Sequence, residues 1–392
     1  MMAASLPFSV DEYRARAERV RDEMRRRDVE VLFVMDPANL CYLTGFESIW
    51  YPPRAPLGIV LSVHDDKAVF LDYERHETHV RMHSHFDDAV FYDYLTALDT
   101  VASAFRERGW SLGSVGIEWH AKSPSGPMIQ TTADAIAATG AKIVSGDWIV
   151  NRVRAVKGSL ELECVRAAAR IADQAVLALD EYVRPGKTEL EIAAYANLVM
   201  AEHGGEEAAI RTMISAGPDV WCRTHGAPSR RPVEDGDVMF IDLCGVVNRY
   251  HVDICRTVAI GRDNPEVRAV LDESARSVDS VIAAVKPGDR LDVAQKVAED
   301  YIFSRFPKEQ IWWVGGYALG IALPPDWVGH TYLSNDAYEQ FTWEPGYVTN
   351  YENILFDRSA GWTASYMETL LMTDTGIEVL STVPRTLRVI GN

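Results

Sequence analysis

The sequence predicts a two-domain α/β protein, and three observations predict it. The 392 residues exceed one ordinary core, at roughly 100–200 residues per domain. The first third alternates helix-period and strand-period segments. The remainder carries an internal repeat in which helices precede pairs of strands.

In the first third, residues 10–27 read as a basic helix capped near Ser9 and Asp11. EVLFVMD reads as a buried strand ending at Asp36, with turns at Pro37 and Gly45. GIVLSV (58–63) and KAVFLD (67–72) form a hairpin across HDD. Leu95 to Arg108 reads as a helix and SVGIEW (114–119) as a strand. The junction falls near Val150, giving domains 1–150 and 151–392. Beyond it Ser159 is expected to cap a long amphipathic helix, with Glu161 and Glu163 in its first turn.

The repeat pairs VRPGKTELEIAAYANLVMAEHGG, from Val183, with VKPGDRLDVAQKVAEDYIFSRFP, from Val285. They align with one residue missing from the second copy. A long helix is expected before each, and strand pairs after each. The strands are VMFIDLCGVV (238–247) with DICRTVAI (253–260), and VTNYENILF (348–356) with YMETLLMT (366–373).

Composition bounds the function. Apolar residues are 47% and charged residues 24%, which excludes disorder for most of the chain. With 39 Lys+Arg against 57 Asp+Glu the net charge is −18. Such a surface repels phosphate backbones and anionic lipid, so neither nucleic acid nor membrane is an expected partner. A small cationic or zwitterionic substrate is compatible. No run of about 18 apolar residues suggests a membrane span. The N-terminus lacks the order of a secretory signal, and the five cysteines show no CxxC spacing. A cytoplasmic location with reduced thiols is expected.

Chemistry concentrates in the strand pairs. Asp242, Asp253, Glu352 and Glu368 occupy matching places in the two half-repeats. An acid in a buried strand must be paired, protonated or bound to a cation. Four such residues are expected to converge on one pocket. Trp312, Trp313, Trp327 and Trp343 cluster nearby and read first as core. The sharper alternative is an aromatic wall for a cationic group.

Several stretches carry a resemblance to a known family. DPANLCYLTGF (36–46), RAVKGSLELECVRAAARIADQA, THGAPSRRPVEDGDVMFIDL and DICRT resemble the creatinase/aminopeptidase P/prolidase superfamily, the pita-bread fold, over almost the whole chain. The resemblance implies a small N-terminal domain and a larger catalytic one. It also implies a homodimer in which one subunit's N-terminal domain covers its neighbour's active site. The superfamily's metallopeptidases hold two divalent ions, through two Asp, one His and two Glu. Asp242, Asp253, Glu352 and Glu368 match the carboxylates, so the implied cofactor is Mn, Fe or Zn. At the histidine's place stands Tyr317, in Gly316-Tyr317-Ala318-Leu319-Gly320. A phenol, with a pKa near 10, is a poor ligand beside imidazole.

GYALGIALPPDW (316–327) and NRYH (248–251) are similar to the ectoine hydrolase and creatinase branch, which opens C–N bonds of small zwitterions without a metal centre. In the ectoine hydrolase branch a Glu stands at the Asp242 position as nucleophile, and the Asp253 and Glu352 positions are not acidic. The resemblance gives His225, Asp242, Tyr317, Glu352 and Glu368 catalytic roles. Substrate contacts fall to His251, Arg256, Asp326, Trp327 and His330, with Arg256 either a clamp or an ion pair and His330 either substrate-side or structural. The expected activity is hydrolysis of an amide, amidine or guanidino C–N bond. The alternatives are a metal-dependent Xaa-Pro dipeptidase or aminopeptidase, a metal-dependent lyase of a sulfonium zwitterion, and a non-catalytic binding module.

Overall fold

The computed structural model describes residues 6–332 and 341–391. The chain forms two compact units, Met1–Arg154 and Ala155–Asn392.

In the first unit, α1 (Val10–Arg26) begins where the Ser9 hydroxyl accepts the Glu12 N–H at 3.2 Å. β1 (Val31–Val34) leads into α2 (Pro37–Thr44). That helix lies where the sequence suggested only turns. The Asp36 carboxylate caps the N–H groups of Ala38 and Asn39 at 3.1 and 3.2 Å. Pro37 fills the first position, where no N–H is needed, and Gly45 closes the helix at φ 74°. β2 (Gly58–Ser62) and β3 (Ala68–Tyr73) form the expected antiparallel hairpin. There follow α3 (Glu77–His83), β4 (Asp88–Tyr92), α4 (Ala97–Glu107), β5 (Ser114–Ile117), α5 (Gly126–Ala137), β6 (Lys142–Ser145) and α6 (Ile149–Ala155). The sheet runs β4-β3-β2-β1-β5-β6. Phe33, Val60, Phe105, Ile117 and Ile136 fill one core cluster.

The second unit opens with α7 (Ser159–Tyr182). Gly158 is its cap, not Ser159: the Gly158 N–H meets the Glu161 carboxylate at 2.9 Å. α8 (Glu189–Glu202) starts from a Thr188/Glu191 capping box. Then come β7 (Met213–Ala216), β8 (Val238–Val247) and β9 (Tyr250–Ile260). Asn248 and Arg249, at φ 49° and 64°, make the tight β8–β9 turn. In the second half the expected single helix is two, α9 (Pro265–Ala275) and α10 (Ser277–Ala284), parted at Arg276. α11 (Leu291–Phe303), β10 (Ile311–Gly315), β11 (Val348–Asp357), β12 (Trp362–Thr373), β13 (Gly376–Val379) and β14 (Arg388–Ile390) complete the unit.

Its sheet runs β10-β11-β12-β9-β8-β7. The two half-repeats therefore meet back to back at β12 and β9, where Met367 pairs with Cys255. Helices cover one face. A Cβ at Gly245 would overlap the Ala168 carbonyl, so α7 lies directly against β8. On the other half, the Tyr351 hydroxyl of β11 donates to Ser277 of α10 at 2.6 Å.

Candidate active site

Strand register decides which acids meet, because successive side chains alternate between faces. Asp242 pairs with Cys255, Cys255 with Met367, and Met367 with Glu352, so all four share a face. Asp253 lies two residues from Cys255 and Asn350 two from Glu352, which puts both on that face as well. It is the face opposite Gly245 and α7. Diagonal neighbours on adjacent strands come within side-chain reach. Asp242 and Asp253 stand so, close enough that each carboxyl bears on the other's ionisation.

Glu368 is one residue past Met367 and points to the helix-covered face. Arg256 holds it there at 2.5 Å, with both side chains 1% exposed. The Tyr366 hydroxyl donates to the same carboxylate oxygen at 3.0 Å. Arg256 also donates to the carbonyls of Met367 and Val383, at 2.9 and 3.0 Å. The expected convergence of four carboxylates is thus corrected to three, and Arg256 is an ion pair, not a substrate clamp. Met367 occupies the place on the shared face that a ligating Glu would need.

Tyr317 and Asn350 organise two of the three acids, Asp253 and Glu352. The Tyr317 hydroxyl donates to Asp253 Oδ2 at 3.2 Å. Asn350 Nδ2 donates to the same oxygen at 3.1 Å and to Glu352 Oε2 at 3.0 Å. Asn350 Oδ1 in turn accepts the Tyr317 N–H at 2.8 Å. A Cβ at Gly316 would overlap the Asn350 carbonyl, so glycine is what lets Tyr317 approach β11. The Trp327 indole N–H donates to the Tyr317 hydroxyl at 3.2 Å. Asn350 was missed from sequence because it is neutral. The available signal was its place two residues before Glu352, on the same strand face.

Burial governs protonation here. It drives Asp242 well above the carboxylate range, and the charge of Asp253 and the bond between them add to it. Burial raises Asp253 too, against the opposing pull of its bonds from Asn350, Asp242 and Tyr317. With both carboxyls raised and each adding to the other's cost of ionising, the pair holds a proton between them. Burial, then the charge of Asp253, raise Glu352 to about 8. Burial and the neighbouring acids keep Tyr317 a neutral phenol.

That shift has a stability consequence. Unfolded, Glu352 titrates at about 4.3; folded, at about 8. Between those values the native state binds the extra proton, so stability falls as pH rises through the window. Glu352→Gln is expected to flatten that slope, measured by denaturant unfolding from about pH 5 to about pH 9.

The remaining candidates are dispersed. His251 is buried and both ring nitrogens are engaged, Nδ1 with the Arg249 carbonyl at 2.7 Å and Nε2 with the Ala209 N–H at 3.0 Å. Burial, then Arg249, lower it to about 3. It is a neutral structural residue, which corrects its expected substrate contact. Asp326 Oδ1 accepts the Val328 N–H at 3.0 Å within its own turn. The His330 ring stacks on Phe341 at 3.7 Å and bonds to the Tyr347 hydroxyl at 2.9 Å. His225 is exposed, its ring edge-on to Trp312 of β10 at 4.9 Å. Trp343 is fully buried, as the core reading expects, whereas Trp312 is 47% exposed.

Two back-to-back hairpins in one sheet, helices behind and acids on the other face, define a pita-bread hydrolase unit. The chain belongs to metallopeptidase family M24, whose description it matches over residues 163–374. Residues 16–156 match the creatinase/prolidase N-terminal domain. By class it is a hydrolase of C–N bonds. It is 28% identical to ectoine hydrolase of Halomonas elongata over 419 aligned positions, 99% of each chain. The X-Pro aminopeptidase of Thermotoga maritima shares the fold at TM-score 0.80 and 21% identity, over 95% of this chain and 99% of that one. Zn-substituted aminopeptidase P of E. coli does so at TM-score 0.76 and 18% identity, over 96% and 95%.

The residues present do not fit a two-metal centre. Among the described residues, no group of three or more His, Cys, Asp or Glu is arranged to hold a metal ion. Tyr317 replaces the one nitrogen donor that the resemblance implies, and Met367 stands where the last carboxylate would have to point. No helix among the described residues is long and apolar enough to cross a membrane.

Proposed function

We propose that the protein hydrolyses a C–N bond in a small, nitrogen-containing zwitterion of the cyclic amidine or guanidino acid class. The observation that carries this reading is the trio Asp242, Asp253 and Glu352 on one sheet face, bordered by Tyr317 and Trp327. Likeness to ectoine hydrolase along both whole chains supports it. A buried acid trio holding fewer charges than carboxyls suits a substrate that brings its own positive charge. The cation displaces the proton that Asp242 and Asp253 share. Asp242, now ionised, attacks the carbon of the C–N bond. The bond breaks, and the nitrogen leaves with a proton from Glu352, whose pKa of about 8 suits transfer near neutrality. Water, giving up a proton to Glu352, then cleaves the ester-like adduct, and Asp242 and Glu352 are both restored. Asp253, gripped by Tyr317 and Asn350, holds the substrate cation in place.

The test is a substrate panel of cyclic amidines, guanidino acids and Xaa-Pro dipeptides, read by product mass. Turnover confined to the dipeptides would overturn the proposal in favour of a peptidase. We assign proton exchange with solvent to His225, the exposed imidazole beside β10. His225→Ala is expected to lower kcat by about 10²–10⁴-fold with the fold intact. Near wild-type turnover would remove the ring from the mechanism.

The same reading includes a cytoplasmic homodimer, the N-terminal unit of one copy covering its partner's site. Ile49 and Trp50 of that unit are exposed and offer apolar surface for it. Sedimentation of wild type against Trp50→Glu tests the dimer.

A further inference from the structure

We infer that Asn350 and Tyr317 take the place of a bound cation, so that hydrogen-bond donors, and not a divalent metal, hold Asp253 and Glu352 of the acid trio together. A metal site needs lone pairs converging on one point, from ligands of fitting type and number. Here hydrogens converge instead. One amide nitrogen, Asn350 Nδ2, lies 3.1 Å from Asp253 and 3.0 Å from Glu352, and its two N–H groups serve both. It bridges two carboxylates as a shared ion would. The Tyr317 hydroxyl supplies a third donor to the same Asp253 oxygen. Its own oxygen accepts from Trp327, which fixes the direction of the hydroxyl proton toward the acid.

Asn350 is also locked in orientation. Its Oδ1 accepts the backbone N–H of Tyr317, so the amide cannot flip to present oxygen to the acids. The side chain is fully buried, and so is the Thr349 hydroxyl before it, which bonds to the Tyr317 carbonyl at 2.6 Å. Two independent contacts thus tie the Tyr317 segment to β11 with the donors aimed one way. Asn350 is a positioning residue on this view: it sets the spacing of Asp253 and Glu352.

The assignment concerns how the site is held and not which substrate it takes, so metal analysis decides it even where every trial substrate fails. Wild-type protein is expected to purify without a stoichiometric transition metal. Its Tm is expected to be unmoved by Mn²⁺, Zn²⁺ or chelator. Asn350→Asp removes the bridging donor and adds a third acceptor beside two. It is expected to gain Mn²⁺ binding by calorimetry and a Tm that rises by several degrees with added Mn²⁺. Tyr317→His exchanges the phenol donor for an imidazole ligand and is expected to behave likewise. Stoichiometric metal in the wild type, with anomalous scattering among Asp242, Asp253 and Glu352, would overturn the inference. So would folded Asn350→Asp and Tyr317→His proteins that both ignore Mn²⁺.

Discussion

Asp242→Asn is expected to lower kcat by about 10⁴-fold or more, the scale of loss on removing a nucleophile. The fold should not suffer. Burial favours the protonated form of Asp242, so a neutral amide of the same shape suits the site. Unfolding by denaturant is therefore expected to show unchanged or raised stability alongside the lost activity. A rapid-quench mass spectrum of wild type under single-turnover conditions is expected to show an adduct on the peptide holding Asp242. Residual turnover within tenfold of wild type, or no adduct while product forms, would remove Asp242 as nucleophile and leave water as the attacking group.

Glu368 gives the opposite pairing of effects. Glu368→Ala leaves the Arg256 guanidinium buried without its partner, at a cost of about 3–5 kcal/mol. The protein that remains folded should turn over near the wild-type rate, since the pair lies on the helix-covered face. Arg256→Met with Glu368→Met is expected to recover most of the stability, because replacing a buried pair by apolar groups is often neutral or better. Measuring Cm and kcat on the same preparations separates the two roles. A loss of kcat at full stability would place Glu368 in the chemistry after all.

Those two residues also mark what sequence could and could not deliver. Asp242 and Asp253 were legible because their strands turn at Asn248 and Arg249, and the eleven-residue spacing fits a hairpin. Glu352 followed from the repeat. Glu368 was read onto the wrong face. The segment SYMETLLM is buried throughout, so it lacks the polar/apolar alternation that reveals a face. A one-residue ambiguity in such a strand moves a side chain from one face of the sheet to the other. The same blindness hid Asn350 and Met367, a neutral amide and an apolar side chain whose importance lies in what they stand beside. His251 failed for a different reason. Its ring nitrogens are consumed by backbone groups from the Arg249 turn and from Ala209, and no spacing rule announces such contacts. α2 was missed although its signals are all present, Asp36 then Pro37 then Gly45; its eight residues are short enough to pass for a turn.

The seam between β9 and β12 bears on the order in which the molecule assembles. Asp253 and Thr369 exchange hydrogen bonds across it, backbone N–H to hydroxyl at 2.9 Å and hydroxyl to carbonyl at 2.8 Å, from 116 positions apart. The β8–β9 hairpin, with both aspartates, closes through two residues and can form early. Joining it to Glu352 and Asn350 requires closing the long loop, whose entropy is lost before any contact repays it. During folding, the aspartate pair therefore exists before the donors that will hold it. The acids of this site spend the first part of the chain's life beside water, and become a working trio only when the two halves of the sheet close.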